Sequence, residues 1–148
     1  MSRSIEFYLV DIFIAADKVK RYTNSFENAQ MLMHSELEWD AVIRELEIIG
    51  EATKKLLRYN FIEDEYQTIV DFRNHIVHGY FGIDENIVWE VVTVLLDQYI
   101  DDLHQMVKEN SFDLTPAIKS AKSDYSYSTK TTEFLNILLS QTTCSGNR

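Results

Sequence analysis

Only four glycines and one proline interrupt the 148 residues of this chain, and that scarcity constrains the fold more than any other feature. Turns draw heavily on both residue types, so a chain this poor in them suits a helical bundle with few turns. The apolar residues agree. Ile5, Leu9, Ile12, Ala16 and Val19 alternate steps of four and three, which lays one stripe along a helix. Trp39, Val42, Leu46, Ile49 and Leu56 repeat the pattern, with Thr53 filling the gap in register. Between these two, residues 25–37 have room for a short helix around Met31, Leu32 and Met33. A third main segment starts near Asp64 or Glu65 and carries Tyr66, Ile69, Val70, Ile76 and Val77. Gly79 stands where a left-handed residue would end it.

Asp84 is a good N-cap for a fourth segment that runs to about Lys108. Its opening, Ile87-Val88-Trp89-Glu90-Val91-Val92-Thr93-Val94, is rich in β-branched residues and could pass for a strand. Strict alternation fails there, however, and apolar positions continue at Leu95, Tyr99, Leu103 and Met106. The pattern therefore predicts an all-α antiparallel bundle of four to five helices over residues 1–110, with Trp39 and Trp89 in its core. Residues 111–148 change character: they are rich in Ser and Thr and contain the one proline, Pro116. Phe134-Leu135-Asn136-Ile137-Leu138-Leu139 predicts one short helix near residues 131–140, and the rest of this extension reads as mobile. No internal repeat is visible.

Composition narrows the setting. The length fits one domain with a real core, and no stretch is long and apolar enough to span a bilayer. Glu6, Asp11 and Asp17 break up the apolar residues near the N-terminus, so no signal peptide is expected there. A lone cysteine, Cys144, excludes a disulfide framework or a cysteine metal site. These features predict a cytoplasmic protein without a membrane segment. The net charge is −10, whereas proteins that follow nucleic acid along a broad surface are normally basic. Between Phe81 and Thr115 eight acidic residues face one base, Lys108. An RNA substrate would have to be caught locally, by a small cationic pocket. The acidic surface suits solvent or a basic partner.

The chemistry concentrates in Arg73-Asn74-His75-Ile76-Val77-His78-Gly79-Tyr80. Arginine binds phosphate as a permanent planar cation, and histidine moves protons near neutral pH. A phenol just past the helix end, Tyr80, offers a hydroxyl for modification. Together they read as phosphodiester chemistry. Asn74 and His78 are four apart and share a helix face, while Arg73 lies about 140° from His78 on an ideal helix. Either the helix end unwinds near Gly79, or the working pair comes from two chains. Cleaving RNA without a metal takes a base, an acid and a cation for the phosphorane. A two-fold dimer would supply both Arg73 and His78 twice.

Plainer readings stand beside this one. Arg73 could pair with a bundle carboxylate, with Glu47 and Glu51 as the candidates, and His78 with the last helix carbonyls. His75 and His78 could form a metal pair, although no third ligand accompanies them. His34 and His104 stand alone as surface or packing residues.

Arg, four residues, His, one residue, Tyr resembles the motif of the HEPN superfamily in the form carried by HepT-like toxins; here it is Arg73, His78 and Tyr80. Leu46-Glu47-Ile48-Ile49-Gly50-Glu51-Ala52, Phe72-Arg73-Asn74, Tyr80-Phe81-Gly82-Ile83-Asp84 and Ile87-Val88-Trp89 resemble the same family, over roughly residues 5–108. The resemblance implies an all-α bundle that dimerises with its two motifs facing each other. It also implies a toxin that cleaves RNA, tRNA and mRNA being candidate substrates, without metal or cofactor. Its partner would be a minimal nucleotidyltransferase antitoxin that transfers AMP to the motif tyrosine. Carried over, Arg73 stabilises phosphate, His78 transfers protons, Asn74 adds a polar contact and Tyr80 accepts AMP. The extension beyond Asn110 exceeds the resemblance, and the loop before the third segment lacks an expected proline. The alternative is a non-catalytic subunit that docks a nucleotidyltransferase and presents substrate to it.

Overall fold

The helices follow the apolar stripes. In the computed structural model, which describes residues 3–77 and 82–143, Ile5–Thr23 forms α1, Ala29–His34 α2 and Glu36–Arg58 α3. A 3-10 turn at Asp64–Tyr66 leads into α4, Gln67–Val77. Glu85–Glu90 forms α5, Leu96–Glu109 α6, Thr115–Asp124 α7 and Thr129–Thr143 α8. Among the described residues there is no strand, so the protein is an all-α bundle. His78, Gly79, Tyr80 and Cys144 lie outside the described residues.

With glycine scarce, the long helices stop by other means. Beyond α3, Asn60 takes a left-handed φ of 57°, and beyond α6 Ser111 takes 53°. At each end the next amide reaches back across the turn: Phe61 N–H to Leu56 at 3.1 Å and Phe112 N–H to Val107 at 3.1 Å. This is the paired closure that a C-terminal glycine usually allows. The two phenylalanines then meet edge to face at 5.2 Å, tying the ends of α3 and α6 together. At the other end of the fourth segment, Asp84 accepts from the Asn86 amide at 2.9 Å, as an N-cap should. The β-branched run is helical, and Val91–Leu95 forms a π-helical turn joining α5 to α6 in one rod.

The core lies among α1, α3, α4 and the α5–α6 rod. Leu9, Ile12, Val19, Val42, Ile49, Leu56, Leu96 and Leu103 are fully buried. Lys18 pairs with Glu45 at 3.7 Å, while Tyr8 and Asp11 share a groove with Ile48 and Ala52, so α1 and α3 run antiparallel. Lys20 pairs with Asp97 and Phe13 stacks on His104 at 4.5 Å, which makes α6 antiparallel to α1. One polar contact is sealed inside: Thr53 Oγ1 and Tyr99 OH lie 2.7 Å apart, both side chains fully buried. Tyr66 rests on the Tyr99 ring at 4.4 Å and donates its hydroxyl to Asp102. Trp39 and Trp89 are half-buried at the rim; their bulk covers the core rather than filling it.

The extension differs most from its sequence pattern. Residues 111–143 form two helices rather than one short one, and both pack on α1. Ala117, Ile118 and Ala121 make a buried stripe on α7, continued by Leu114 at its N-cap, and Leu135 and Leu138 make one on α8. Pro116 sits in the first turn of α7, where its missing N–H costs nothing and its fixed φ suits the helix. Arg21 donates to Thr131 at 3.2 Å, and Lys18 stands over the Tyr125 ring at 4.6 Å. Ser and Thr had masked the apolar spacing.

Candidate active site

Arg73 occupies a position where α4 should carry an apolar residue. Tyr66, Ile69 and Val70 form the buried face of this segment, and Arg73 follows at seven, four and three residues, on the same face. Its side chain is accordingly only 24% exposed. Gly50 of α3 makes the room. A Cβ on Gly50 would lie 2.2 Å from the Arg73 Cβ and 2.7 Å from its Cγ, closer than atoms can approach. The arginine stem therefore crosses α3 where α3 has no side chain.

The guanidinium is held from two sides. Its Nη2 lies 2.8 Å from Glu51 Oε2 on α3, and its Nη1 donates to Asn74 Oδ1 at 2.9 Å. Of the two carboxylates the sequence offered, Glu51 is the one that holds Arg73. Glu47 pairs instead with Arg44 at 3.2 Å. With Glu51 about half exposed, such a pair contributes at most about 1 kcal/mol. Its effect is to fix where the cation points. These two contacts use two of the guanidinium's five N–H donors.

Arg73 opens onto a groove of about 290 Å³ between the start of α1 and α3. Arg3, Tyr8 and Asp11 form one wall, and Arg44, Glu47, Ile48, Glu51 and Ala52 the other. Each arginine has a carboxylate partner: Arg3 meets Asp11 at 2.6 Å, and the other two pairs are those above. The Asp11 hydrogen bond raises the Arg3 pKa above its ordinary value, against some desolvation. Sequence reasoning singled out Arg73 and Asn74, which the structure brings together, but not Arg3, Arg44 or Gly50. The signals were an arginine inside an apolar stripe and a glycine inside a long helix.

The remaining titratable groups do other work. His104 is half-buried against Phe13, and burial lowers its pKa; it packs. His34 and His75 are exposed. His78, the second half of the proposed metal pair, lies outside the described residues. Among the described residues no three His, Cys, Asp or Glu side chains gather to hold a metal, and no helix is long and apolar enough to cross a membrane.

Fold and site together define a helical protein with an arginine built into a polar groove. The match to known proteins is specific. The family model described as "Ribonuclease HepT-like" fits residues 12–109, and the chain belongs to that ribonuclease family. A Thermococcus cleftensis protein named "Probable ribonuclease HepT" is 33% identical over 95 residues, 62% of this chain and 86% of the relative. Two Methanocaldococcus jannaschii proteins provisionally named RNases are also similar. One is 33% identical over 61% of this chain and 84% of its own length. The other is 27% identical over 72% of this chain and 90% of its own. No solved structure matches the chain.

Proposed function

We propose that this chain is a metal-independent RNA endonuclease, the toxin of a toxin–antitoxin pair, acting as a homodimer in the cytoplasm on tRNA or mRNA. RNA carries its own nucleophile. A base removes the 2′-hydroxyl proton, and the oxygen attacks the adjacent phosphorus. The bond to the 5′-oxygen breaks as an acid protonates it, leaving a cyclic phosphate and a free 5′-hydroxyl. Arg73 stabilises the charge on the phosphorane, His78 moves the protons, and Asn74 steadies Arg73. Two copies of His78 across a two-fold axis serve as base and acid.

One observation carries this reading: Arg73, five residues ahead of His78, stands in the core stripe of α4 and is braced by Glu51 and Asn74. A buried arginine stem is hard to accommodate without a use for its head. Control falls to a minimal nucleotidyltransferase antitoxin. The Tyr80 oxygen attacks the α-phosphorus of a nucleoside triphosphate, pyrophosphate leaves and the phenolic proton is lost. The new phosphodiester anion on the motif tyrosine repels RNA.

The test is induced expression of the wild type beside His78→Ala, in cells without a nucleotidyltransferase partner, with RNA examined for new ends. Growth arrest and new ends in the wild type alone are expected. No difference between two folded proteins overturns the enzyme reading and favours a non-catalytic docking subunit. The charge of −10 and the matched carboxylates of the groove are what speak for that alternative.

A further inference from the structure

Three of the chain's six arginines line one groove, and they come from three places: the entry to α1, the middle of α3 and the end of α4. No lysine joins them. In a chain of net charge −10 this concentration needs an explanation, and bundle stability does not supply it. The Arg44 and Glu47 side chains are 69% and 28% exposed, and those of Arg3 and Asp11 49% and 34%. Exposed ion pairs of this kind are weak. They hold a side chain in place without committing it, so an incoming phosphate can take the guanidinium over in the two-pronged geometry that arginine favours.

The spacing fits a strand. Arg44 and Glu51 are seven residues apart, two turns along the same face of α3 and about 10 Å by helix rise, and Arg73 sits at Glu51. Opposite them, the Arg3 guanidinium lies 5.2 Å from the Tyr8 ring centroid. Tyr8, Ile48 and Ala52 give the walls an aromatic and apolar surface. Cations along a groove with an aromatic wall are what single-stranded nucleic acid requires.

We infer that the groove between α1 and α3 is a binding track for single-stranded RNA, in which Arg44 and Arg3 take phosphates flanking the one held by Arg73. The inference rests on the endonuclease reading and extends it to two residues outside the motif. The track balances three arginines with Asp11, Glu47 and Glu51, and RNA is taken up as each guanidinium turns from its carboxylate, which solvent then hydrates, to a phosphate.

The experiment measures binding of the full chain to a fluorescent 2′-O-methyl single-stranded oligonucleotide, which lacks the nucleophile and cannot be cleaved, over a range of salt. Wild type is compared with Arg44→Ala, Arg3→Ala and Lys130→Ala, the last removing the same charge from an exposed position on α8. Each groove substitution is expected to weaken binding roughly three- to tenfold and to flatten the log–log salt slope by about 0.7, the loss of one phosphate contact. Lys130→Ala should change neither. If the wild type cleaves RNA but both groove variants bind with its slope, the track is overturned and the endonuclease stands. If those variants instead weaken self-association, the groove is an interface between copies, and the track is again overturned. If the wild type neither binds nor cleaves RNA, the endonuclease reading fails and the track with it.

Discussion

Along α3, Val42, Leu46, Ile49, Thr53 and Leu56 face the core, while Arg44, Glu47, Ile48 and Glu51 face the groove. The first face is at most 2% exposed, and its one polar atom is sealed against Tyr99. The second is half open, and its charges are paired loosely, each to a neighbour that solvent also reaches. One face is sealed packing and the other is exchangeable contact. A single helix thus fixes the fold and offers the ligands, and Gly50 lets Arg73 reach from α4 to the second face.

Substitutions on the two faces should separate cleanly. Ile49→Ala opens a cavity in the fully buried face and should lower unfolding free energy by about 2–5 kcal/mol. Cleavage per folded molecule should be unchanged, as denaturant titration and an RNA assay would show. Gly50→Ala belongs to both faces. Its new Cβ pushes against the Arg73 stem, not a flexible tip, so a loss of about 1–3 kcal/mol should come with impaired cleavage. If Gly50→Ala left cleavage intact, the helix crossing would not be what positions Arg73.

Tyr99→Phe strands the Thr53 hydroxyl and should cost about 1–3 kcal/mol, whereas Thr53→Val with Tyr99→Phe removes both partners and should recover most of it. Glu45 gives a pH signature. Burial raises its pKa above the ordinary 4.5, against the opposing pull of Lys18. A raised carboxylate favours the folded state below the unfolded value and loses that contribution as pH rises through the folded one. Stability should therefore fall more steeply above about pH 4.5 in the wild type than in Glu45→Gln, by thermal melts across pH. Glu47→Gln, on the loose face, should move stability by no more than about 0.5 kcal/mol.

These faces were not equally legible. Period alone located α1, α3 and α4, because a stripe such as Val42, Leu46, Ile49 and Leu56 has one geometric meaning. Glu51 was one of two carboxylates that could reach Arg73, and only the packing of α4 on α3 decides between it and Glu47. Gly50 is legible as a glycine inside a helix, but sequence does not say what crosses it. Arg3 and Arg44 carry no signal in the sequence, because three arginines far apart in the chain share one groove only through the antiparallel pairing of α1 and α3 and the packing of α4 on α3. In the extension, α8 contains the short helix expected near residues 131–140, whereas Ser and Thr dilute the buried stripe of Ala117, Ile118 and Ala121 that makes α7.

The most direct measurement is single-turnover RNA cleavage by the purified protein in the presence of a chelator, comparing wild type with Arg73→Ala at matched folded fraction. The arginine head is the charge proposed to meet the phosphorane, so its removal should slow cleavage about 10²–10³-fold. Truncating the packed stem lowers stability as well, which is why the two proteins are compared at matched folded fraction. Cleavage at the wild-type rate by a folded Arg73→Ala protein would contradict the account.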